Sequence, residues 1–504
     1  MGRGALGRGS RQPDCPVLKP PSFLSVFAAL AGALLCAGCG AGDDEPVRVN
    51  AIGSAREFAA PLTHIDTRAG QIMLAATARG LVSVDADGTV VPALAQRWIV
   101  VDEGKSYIFR LRRARWADGA RVDAREVKRL LQARLRAGVR QDPYGPLASV
   151  KQIIAMTDDV LELRLTTARP NFLAALAVPE MAIARGTGGT GPYRKRKDEA
   201  GGADLWRLLP LDALGHVDEE AEQRAVRLLR AERAARAIVR FREGDADLML
   251  GGTVAELPYV SIAGVRDGFV RFDPVQGLFG LAVARDSVML KDASVRRAMA
   301  MAIDRTALVS KFAVARWKIA EQIVPQQLNL PHLPTPPDWA VLSMERRRVL
   351  ARDVVSRWRL QHGNAPFVLS ISLPKGPGLE ILFHALRDQY AQTGVVLIRK
   401  EKGADLALID EVAPYDSVSW YLGRLSCARG VHCDERAEEL LRESLKATGM
   451  AERLEMLGQA EPLIVEHEGF IPLAMPVRWS LVRGRLDGFA PSPRAVHPLD
   501  RLMK

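Results

Sequence analysis

Residues 367–398 decide the fold of the second half of the chain; they read FVLSISLPKGPGLEILFHALRDQYAQTGVVLI. Phe367–Ser372 is apolar and β-rich, which predicts a strand, and residues 395–398 predict another. Between them, residues 379–392 predict a helix that Gly394 can end. A strand, a helix and a strand in this order are typical of a mostly parallel sheet.

The flanking sequence continues this pattern. Residues 406–409 predict a further strand, and two helices are expected at about 434–447 and 450–467. Upstream, Asp292 can cap a helix whose apolar residues follow the i, i+3, i+4, i+7, i+8 pattern. Those residues are Val295, Ala298, Met299, Ala302 and Ile303. This half of the chain is therefore an α/β lobe.

The first half is richer in hairpins. The turn Asp85-Ala-Asp-Gly88 separates two short apolar runs, a pattern typical of a β hairpin. Tyr107, Phe109 and Leu111 alternate onto one face of a predicted strand, and Asp123 opens a helix that continues to about residue 137. The sequence therefore predicts two α/β lobes, the first with many hairpins.

Composition limits the class of protein. The chain has 504 residues, of which 48% are apolar and 26% charged, so it can bury more than one core. Its formal charge of +11 is spread without a dense basic block, so nucleic-acid binding is not expected. Past the N-terminal segment, no run approaches the 18 apolar residues of a membrane span.

The N-terminus has the features of an export signal. Basic residues precede the apolar run 23–38, and Cys36-Ala-Gly-Cys39 resembles a bacterial lipobox, with Cys36 where leucine is usual. We therefore expect a lipoprotein signal peptide over residues 1–38, lipid attachment at Cys39 and a tether over 39–47. The alternative is an uncleaved anchor helix. Either places the body in the periplasm or cell envelope, anchored to the membrane.

Export changes how the remaining cysteines are interpreted. Cys427 and Cys433 form an even pair in an oxidising compartment, and Gly430 helps the loop between them to close, which favours a disulfide. A metal site that also uses His432 is the alternative, although no nearby residues complete four ligands.

Motifs for catalysis or cofactor binding are weak. Residues 186–191 match G-x-G-x-x-G, but the charged segment after them does not resemble the helix that a dinucleotide loop must open. Neither a G-x-S-x-G nucleophile motif nor an H-E-x-x-H metal motif is present. His467-Glu468 is expected to be a solvated pair at a helix end. We predict no enzyme activity, no cofactor and no metal.

Several strings together resemble the family 5 extracellular solute-binding proteins, the peptide-binding group of ABC importers. Their order and spacing extend over nearly all of the chain that follows the leader. The strings are Gly80-Leu-Val82, Pro92-Ala-Leu-Ala-Gln-Arg-Trp98, Asp102-Glu-Gly-Lys-Ser-Tyr-Ile-Phe-Arg-Leu-Arg112, Asp118-Gly119, Asp123-Ala-Arg-Glu-Val127, Gly189-Thr-Gly-Pro-Tyr193, Gly244-Asp-Ala-Asp-Leu248, Asp292-Ala-Ser-Val-Arg-Arg-Ala298, Ala302-Ile-Asp-Arg305 and Gly488-Phe489.

This resemblance implies a two-lobed fold like that of periplasmic binding proteins. The first lobe would be discontinuous, with a β-rich subdomain at about 80–185, and would close over a ligand about a hinge to the second lobe. The lobes would comprise residues 48–274, 275–478 and, on the return to the first lobe, 479–504. Such a protein would be monomeric and would deliver a small solute to ABC permease subunits in the inner membrane.

The resemblance favours a short peptide as the ligand but leaves its contacts open. Peptide-binding relatives carry an Asp that pairs with the peptide amino terminus, and an ungapped count places Ala413 there. Asp410 or Glu411 could replace that Asp, or both could form an ordinary strand-end turn. A second departure lies at Leu209-Pro-Leu-Asp212, where relatives usually carry Asn-Pro-x-Tyr-Trp.

Other candidate ligand contacts follow from side-chain chemistry. Lys375 could meet a ligand carboxylate, although a solvated loop lysine is the simpler interpretation. Tyr415, Asp416 and Trp420 lie in the same stretch, where the two aromatic rings could wall a cleft or pack in the core. Two alternatives remain: a non-peptide solute such as a nickel chelate, haem or a sugar-like compound, or an envelope interaction module without transport.

Overall fold

The computed structural model describes residues 45–186, 188–198, 202, 204–212, 215–221, 223–312 and 314–504. The predicted signal peptide, Cys39 and nearly all of the predicted tether lie outside these residues. None of the helices in the described ranges combines the length and the apolar character that a bilayer span requires.

The strands of the described residues are arranged in five sheets. They are β1 Val47–Ile52, β2 Val82–Val84, β3 Val90–Pro92, β4 Ala95–Val101, β5 Ser106–Leu111, β6 Val150–Ala155, β7 Val160–Leu165, β8 Ala184–Arg185, β9 Gly188–Gly189, β10 Tyr193–Lys197, β11 Leu205–Pro210, β12 Arg227–Glu232, β13 Leu248–Thr253, β14 Val270–Phe272, β15 Gly277–Val283, β16 Phe367–Ser372, β17 Val395–Arg399, β18 Leu406–Val412, β19 Phe470–Ala474 and β20 Arg478–Val482.

The α-helices of the described residues vary from one turn to five. They are α1 Ala55–Ala59, α2 Arg68–Thr77, α3 Ala124–Gln141, α4 Phe172–Leu176, α5 Ala234–Glu243, α6 Pro258–Ile262, α7 Ala293–Met301, α8 Arg305–Val309, α9 Met344–Gln361, α10 Pro377–Ala391, α11 Val418–Arg424, α12 Glu435–Ser444 and α13 Met450–His467.

The helix starts follow the predicted caps. Asp123 accepts hydrogen bonds from the backbone N–H groups of Arg125 and Glu126 at the start of α3. Asp292 caps α7 through the N–H of Ser294. These carboxylates satisfy donors that the first turn of a helix leaves free, which confirms both predicted helix starts.

The largest sheet has seven strands in the order β10-β11-β12-β1-β13-β20-β14. Its strands β1, β12 and β13 run parallel, while β20 pairs antiparallel with β13 and β14. The predicted hairpins appear as separate small sheets, β2 with β3 and a four-stranded sheet β4-β5-β7-β6. The first sheet thus combines early segments with a strand from near the C-terminus.

The second large sheet has the order β17-β16-β18-β15-β19. Only β16 forms parallel pairs, with β17 and β18, while β15 pairs antiparallel with β18 and β19. The prediction of a mostly parallel sheet is therefore wrong for half of the pairs. The strand–helix–strand pattern identifies one crossover, but β15 and β19 join the sheet from distant positions in the sequence.

Two short links connect the two large sheets. Residues 273–276 lead from β14 to β15, and residues 475–477 lead back from β19 to β20. Arg478 begins β20 and Asp273 follows β14, so both side chains lie at the links. Any movement of one sheet relative to the other must pass through these two segments.

One hydrophobic core joins the hairpin region to the helices near the C-terminus. Tyr107, Phe109 and Leu131 belong to the same buried cluster as Tyr421 and Leu441. The region expected to be an insert of the first lobe is thus packed against α11–α13. Residues 46–504 accordingly form one compact unit.

Asp304 and Arg305, which end one of the family-like strings, have separate partners. Asp304 caps α8 through the N–H of Ala307, while the buried Arg305 donates from Nε to the carbonyl oxygen of Pro472 at 2.8 Å. The guanidinium also lies over the Trp339 ring. Its role is to hold α8 against β19.

Candidate functional site

Two cavities meet at the links between the sheets, and both are lined by Asp273 and Arg478. The first, which we call the Arg68 cavity, is small and has a volume of about 40 Å³. It is lined by Arg68, Gln71, Ile72, Ala75, Pro179, Leu250, Gly251, Gly252, Asp273, Arg478, Trp479, Ser480, Ala495, Val496 and His497. The second, the link groove, has a volume of about 930 Å³ and is lined by residues 272–276, 314–322, 324–327, 336 and 475–478.

Arg478 is the central charged residue of both cavities. Its Nη1 donates to Oδ1 of Asp410 at 2.7 Å, and its Nη2 donates to the Asp410 carbonyl oxygen at 2.9 Å. The Arg478 side chain is only 6% exposed and that of Asp410 is 18% exposed, so the ion pair is partly buried. Its Nε is also buried and finds no acceptor among the described residues. A buried guanidinium thus retains one donor that a bound molecule could use.

Arg68 lies at the first position of α2. The hydroxyl of Thr67 caps this helix by accepting from the N–H of Gly70 at 3.2 Å. A side chain at Gly70 would collide with the backbone, since a Cβ there would lie 1.9 Å from the carbonyl oxygen of His64. The tight turn before α2 therefore requires glycine, and it fixes where the Arg68 side chain begins.

The Arg68 guanidinium has no hydrogen bond or ion pair with any of the described residues. Desolvation, with a smaller contribution from Arg478, lowers its pKa to about 10, so it stays protonated at neutral pH. Half-buried and charged, it faces the cavity without a hydrogen-bonded partner in the described part of the chain, while the nearby charges of Asp410, Glu180 and Asp273 favour its protonated form.

The carboxylates around the Arg68 cavity already have donors. Asp273 accepts from the N–H of Ser492 at 2.8 Å and lies 3.2 Å from Nε2 of His497. Glu180 accepts from Nε2 of Gln71 at 2.6 Å. These acids therefore do not require a ligand to satisfy them.

Two of the neighbouring acids also have raised pKa values. Burial raises the pKa of Glu180. Burial also raises the pKa of Glu256, whose Oε2 accepts from the backbone N–H and the hydroxyl of Thr253 at 3.1 and 2.7 Å.

The predicted ligand residues of the segment 410–416, which we call the acidic segment, lie at the end of β18 and in the loop after it. Asp410 is paired with Arg478, as described above. Glu411 forms a bidentate pair with Arg424, with N–O distances of 2.6 and 2.7 Å. Both candidates for an amine anchor are therefore occupied by arginines.

The remaining candidates of this stretch also have partners. The Tyr415 hydroxyl is buried and donates to Asp142. Asp416 pairs with Arg494 at 2.9 Å, and its side chain is 67% exposed. Trp420 is buried in α11 and packs edge-on against Tyr421, so it is a core residue and does not line either cavity.

Lys375 lies apart from the acidic segment, exposed in the loop between β16 and α10. The next turn packs against the segment after β13, because the N–H of Gly378 donates to the carbonyl oxygen of Ala255 at 2.9 Å. A Cβ at Gly378 would lie 1.8 Å from the carbonyl oxygen of Val254. Lys375 is therefore close to a contact between segments of the two sheets, but it lines neither cavity.

Cys427 and Cys433 form a disulfide in the structure. His432, the third ligand of the alternative metal site, instead contacts His467, with Nδ1 and Nε2 2.7 Å apart. Within the described ranges no group of three or more His, Cys, Asp or Glu side chains could hold a metal ion.

The expectation that His467-Glu468 is solvated is wrong. Glu468 is buried and accepts from Nε1 of Trp339 at 2.7 Å. Burial raises the pKa of Glu468 to about 7 and lowers that of His467 to about 4. The chain turns back into the core at this helix end, which sequence periodicity does not reveal.

The sequence did not predict four polar residues that line the Arg68 cavity: Arg68, Asp273, Arg478 and His497. They come from four distant segments, and no motif surrounds any of them. Arg68 and Arg478 are two of 70 lysine and arginine residues, without a local signal that separates them from the others.

Comparison with known proteins gives a consistent result. The family model described as bacterial extracellular solute-binding proteins, family 5 Middle, matches residues 89–341, which is half of the chain. A probable di/tripeptide-binding protein 5 of Pseudomonas aeruginosa is 22% identical over 480 residues, covering 82% of this chain and 87% of that protein.

Solved structures of similar fold cover almost the whole chain. The Haemophilus influenzae OppA complex with RPPGFSPFR matches with a TM-score of 0.76 at 16% identity, covering 92% of this chain and 99% of that one. The Escherichia coli murein tripeptide binding protein MppA matches with a TM-score of 0.73 at 18% identity, covering 92% and 99%. These likenesses show the two-lobed fold.

Proposed function

The chain belongs to family 5 of the bacterial extracellular solute-binding proteins, and from this membership we propose that it captures a short peptide and delivers it to a membrane permease. Its role is that of the substrate-binding component of an ABC importer. Proteins of this family bind peptides or other small ligands and work with ABC permeases. Its relatives are binding proteins rather than enzymes.

The observation that carries this proposal is the position of the cavities at the links between the sheets. Residues 273–276 and 475–477 are the links, and the Arg68 cavity and the link groove meet beside them. A ligand there would contact groups whose relative position depends on the links, and would therefore favour a closed arrangement.

The lobes we propose follow the two large sheets. Residues 48–274 and 479–504 would form the first lobe and residues 275–478 the second, with an insert at about 80–185. Strands β1–β14 and β20 lie in the first lobe or its insert, and β15–β19 lie in the second, which supports this division. The insert packs on α11–α13, so it would take part in the contact between the lobes.

The proposed ligand is a short peptide because of the relatives. The Pseudomonas aeruginosa protein is named as a di/tripeptide-binding protein, and the OppA and MppA structures are those of peptide-binding proteins. We also propose that the protein acts as a monomer in the periplasm, held to the membrane by lipid at Cys39. The lipobox-like sequence supports that anchor.

Thermal unfolding of the full chain in mild detergent tests this proposal. Bound ligand would first be removed by unfolding and refolding, and the panel would contain di- to pentapeptides, free amino acids, nickel chelates, haem and sugars. A peptide at about 100 times its dissociation constant should add about 2.7 kcal/mol of stability, which is a readily visible shift. Stabilisation by another class alone would overturn the peptide assignment, and no stabilisation by any would contradict solute capture.

A further inference from the structure

We propose that the Arg68 cavity receives an acidic group of the solute, and that binding needs this group rather than a free amine. This inference rests on the proposed function because it assigns the solute class of the same cleft. It follows from two arginines that line one cavity: Nε of Arg478 is buried without an acceptor, and Arg68 makes no hydrogen bond with the described residues.

The first step is the state of Arg478. The residue is 5% exposed, its two terminal nitrogens are engaged with Asp410 and Val477, and its Nε is buried without an acceptor. A buried donor left without an acceptor is unfavourable, and a charged one more so. An oxygen atom bound in the cavity would remove this deficit.

Arg68 supplies the second set of donors. Its guanidinium is half-buried, charged at neutral pH and without a hydrogen bond to the described residues. A planar guanidinium presents paired N–H groups that match the two oxygens of a carboxylate. Arg478 repels Arg68, and the charges of Asp410, Glu180 and Asp273 offset part of that repulsion. An anion that also accepts hydrogen bonds from both guanidinium groups would gain from each of them.

The acids near the cavity do not offer an alternative site for an amine. Asp410 is held by Arg478, Asp273 by Ser492 and His497, and Glu180 by Gln71. An incoming ammonium would have to displace one of these donors. If it displaced Arg478 from Asp410, the buried guanidinium of Arg478 would lose its charged partner.

The rest of the wall suits the carbon chain of a solute. Ile72, Ala75, Trp479 and Val496 line the cavity beside the arginines. Apolar walls with a few convergent polar groups are the usual composition of small-molecule sites. We therefore expect an organic acid with an apolar portion, of which the C-terminal end of a short peptide is one form.

The test uses one apolar tripeptide in three forms: with both ends free, N-acetylated and C-amidated. Affinities for the full chain in mild detergent would be measured by calorimetry. The free and acetylated forms should bind within about threefold of each other, and the amidated form at least tenfold more weakly. Equal binding of the acid and the amide, or loss of binding on acetylation, would overturn the inference.

Two variants of Arg68 and one control test whether Arg68 causes the preference for the acid. Arg68→Gln should weaken the acid forms at least tenfold and remove the difference between acid and amide, while Arg68→Lys should retain part of it. Arg56→Gln, which removes an exposed charge from the neighbouring helix α1, is the matched control and should change nothing. Because Arg68 makes no hydrogen bond or close ion pair with the described residues, these variants should change the melting temperature of the ligand-free protein only slightly. An Arg68→Gln variant that is folded and still prefers the acid would contradict the assignment.

A second panel separates this inference from the proposed function. It would contain non-peptide organic acids, the corresponding alcohols or amides, and cationic solutes. Binding of a non-peptide acid that depends on Arg68 would uphold the inference while overturning the peptide assignment. Binding confined to neutral or cationic solutes would overturn the inference and leave solute capture intact, and no binding in either panel would overturn both.

Discussion

The acidic segment 410–416 and the Arg68 cavity lie on either side of Arg478 and differ in how their charges are satisfied. Each carboxylate of the acidic segment has an arginine partner, namely Arg478, Arg424 or Arg494. The cavity, in contrast, has donors without acceptors, at Arg68 and at Nε of Arg478. A conspicuous group of charges in a sequence can thus be a finished ion-pair network, while an open site is formed by inconspicuous residues.

The largest effect is expected where the two regions share a residue. In Arg478→Met the partly buried Asp410 carboxylate loses its partner. Removing one member of a fully buried ion pair costs about 3–5 kcal/mol, so we expect a loss of about 3 kcal/mol here. The free energy of unfolding from urea titration would measure this loss.

A double variant tests whether the loss comes from the pair. Adding Asp410→Asn to Arg478→Met removes the unpaired charge and should restore a substantial part of the stability, a coupling that the double-mutant cycle reports. If the two changes were simply additive, the contrast between a paired segment and an open cavity would have to be abandoned.

A partly buried group can also avoid the need for a partner charge by remaining neutral, as His467 does. Its pKa is lowered to about 4, mainly by desolvation and also by Arg296 and His432, with Asp434 opposing. The unfolded imidazole binds a proton near pH 6.5, so between these values the unfolded state binds more protons. Stability contributed by the neutral form should be full above pH 6.5 and lost as the pH falls to 4, by about 3 kcal/mol at most.

This pH dependence would be measured as the difference in unfolding free energy between the chain and His467→Gln. Glu468, whose raised pKa of about 7 produces the opposite slope, is retained in both proteins, so its contribution cancels to a first approximation. His384→Gln, at an exposed position, is the control and should show the pH profile of the unchanged chain. Parallel profiles for His467→Gln and the unchanged chain would show that the folded state does not hold the His467 imidazole neutral.

Much of the fold was predictable because its signals are local. Strand β16 and helices α3, α7 and α13 follow from apolar spacing, caps and glycines within a few residues. The antiparallel pairing of β15 with β19 was not predictable, since it joins segments almost 200 residues apart. Periodicity identifies an element and its buried face, but it does not identify a distant neighbour.

The same limit explains why the residues of the candidate site could not be predicted from the sequence. Asp410 and Glu411 attract attention because acids follow a strand, yet the charge that neutralises Asp410 lies 68 residues away. The Tyr415 hydroxyl bonds Asp142 across 273 residues. Whether a charged side chain is free for a ligand depends on such distant partners, and therefore on the tertiary structure.

Removing the disulfide tests how much the loop after α11 contributes to stability and whether it affects binding in the Arg68 cavity. Cys427 and Cys433 are six residues apart and close a loop just after α11. For so short a loop the chain-entropy model gives about 2 kcal/mol, so Cys427→Ser with Cys433→Ser should lose about that much in urea titration. The unchanged chain after reduction should behave like the double variant, and its affinity for solutes should be preserved, since neither cysteine lines the Arg68 cavity. A large loss of affinity would show that the loop and the cavity are coupled.

The smallest effect is expected at Asp416, whose side chain is mostly exposed although it pairs with Arg494. Exposed ion pairs contribute about 0–1 kcal/mol, because water screens them and ordering the side chains costs entropy. Asp416→Asn should therefore change the unfolding free energy by less than about 1 kcal/mol, with Glu411→Gln as a matched change at a less exposed pair. Neither should alter the affinity for a tripeptide.

If Asp416→Asn weakened binding of the free-amine tripeptide but left binding of its acetylated form unchanged, the amine anchor would lie in the acidic segment. The comparison would then be reversed, with the exposed pair as the binding site and the Arg68 cavity as a structural feature.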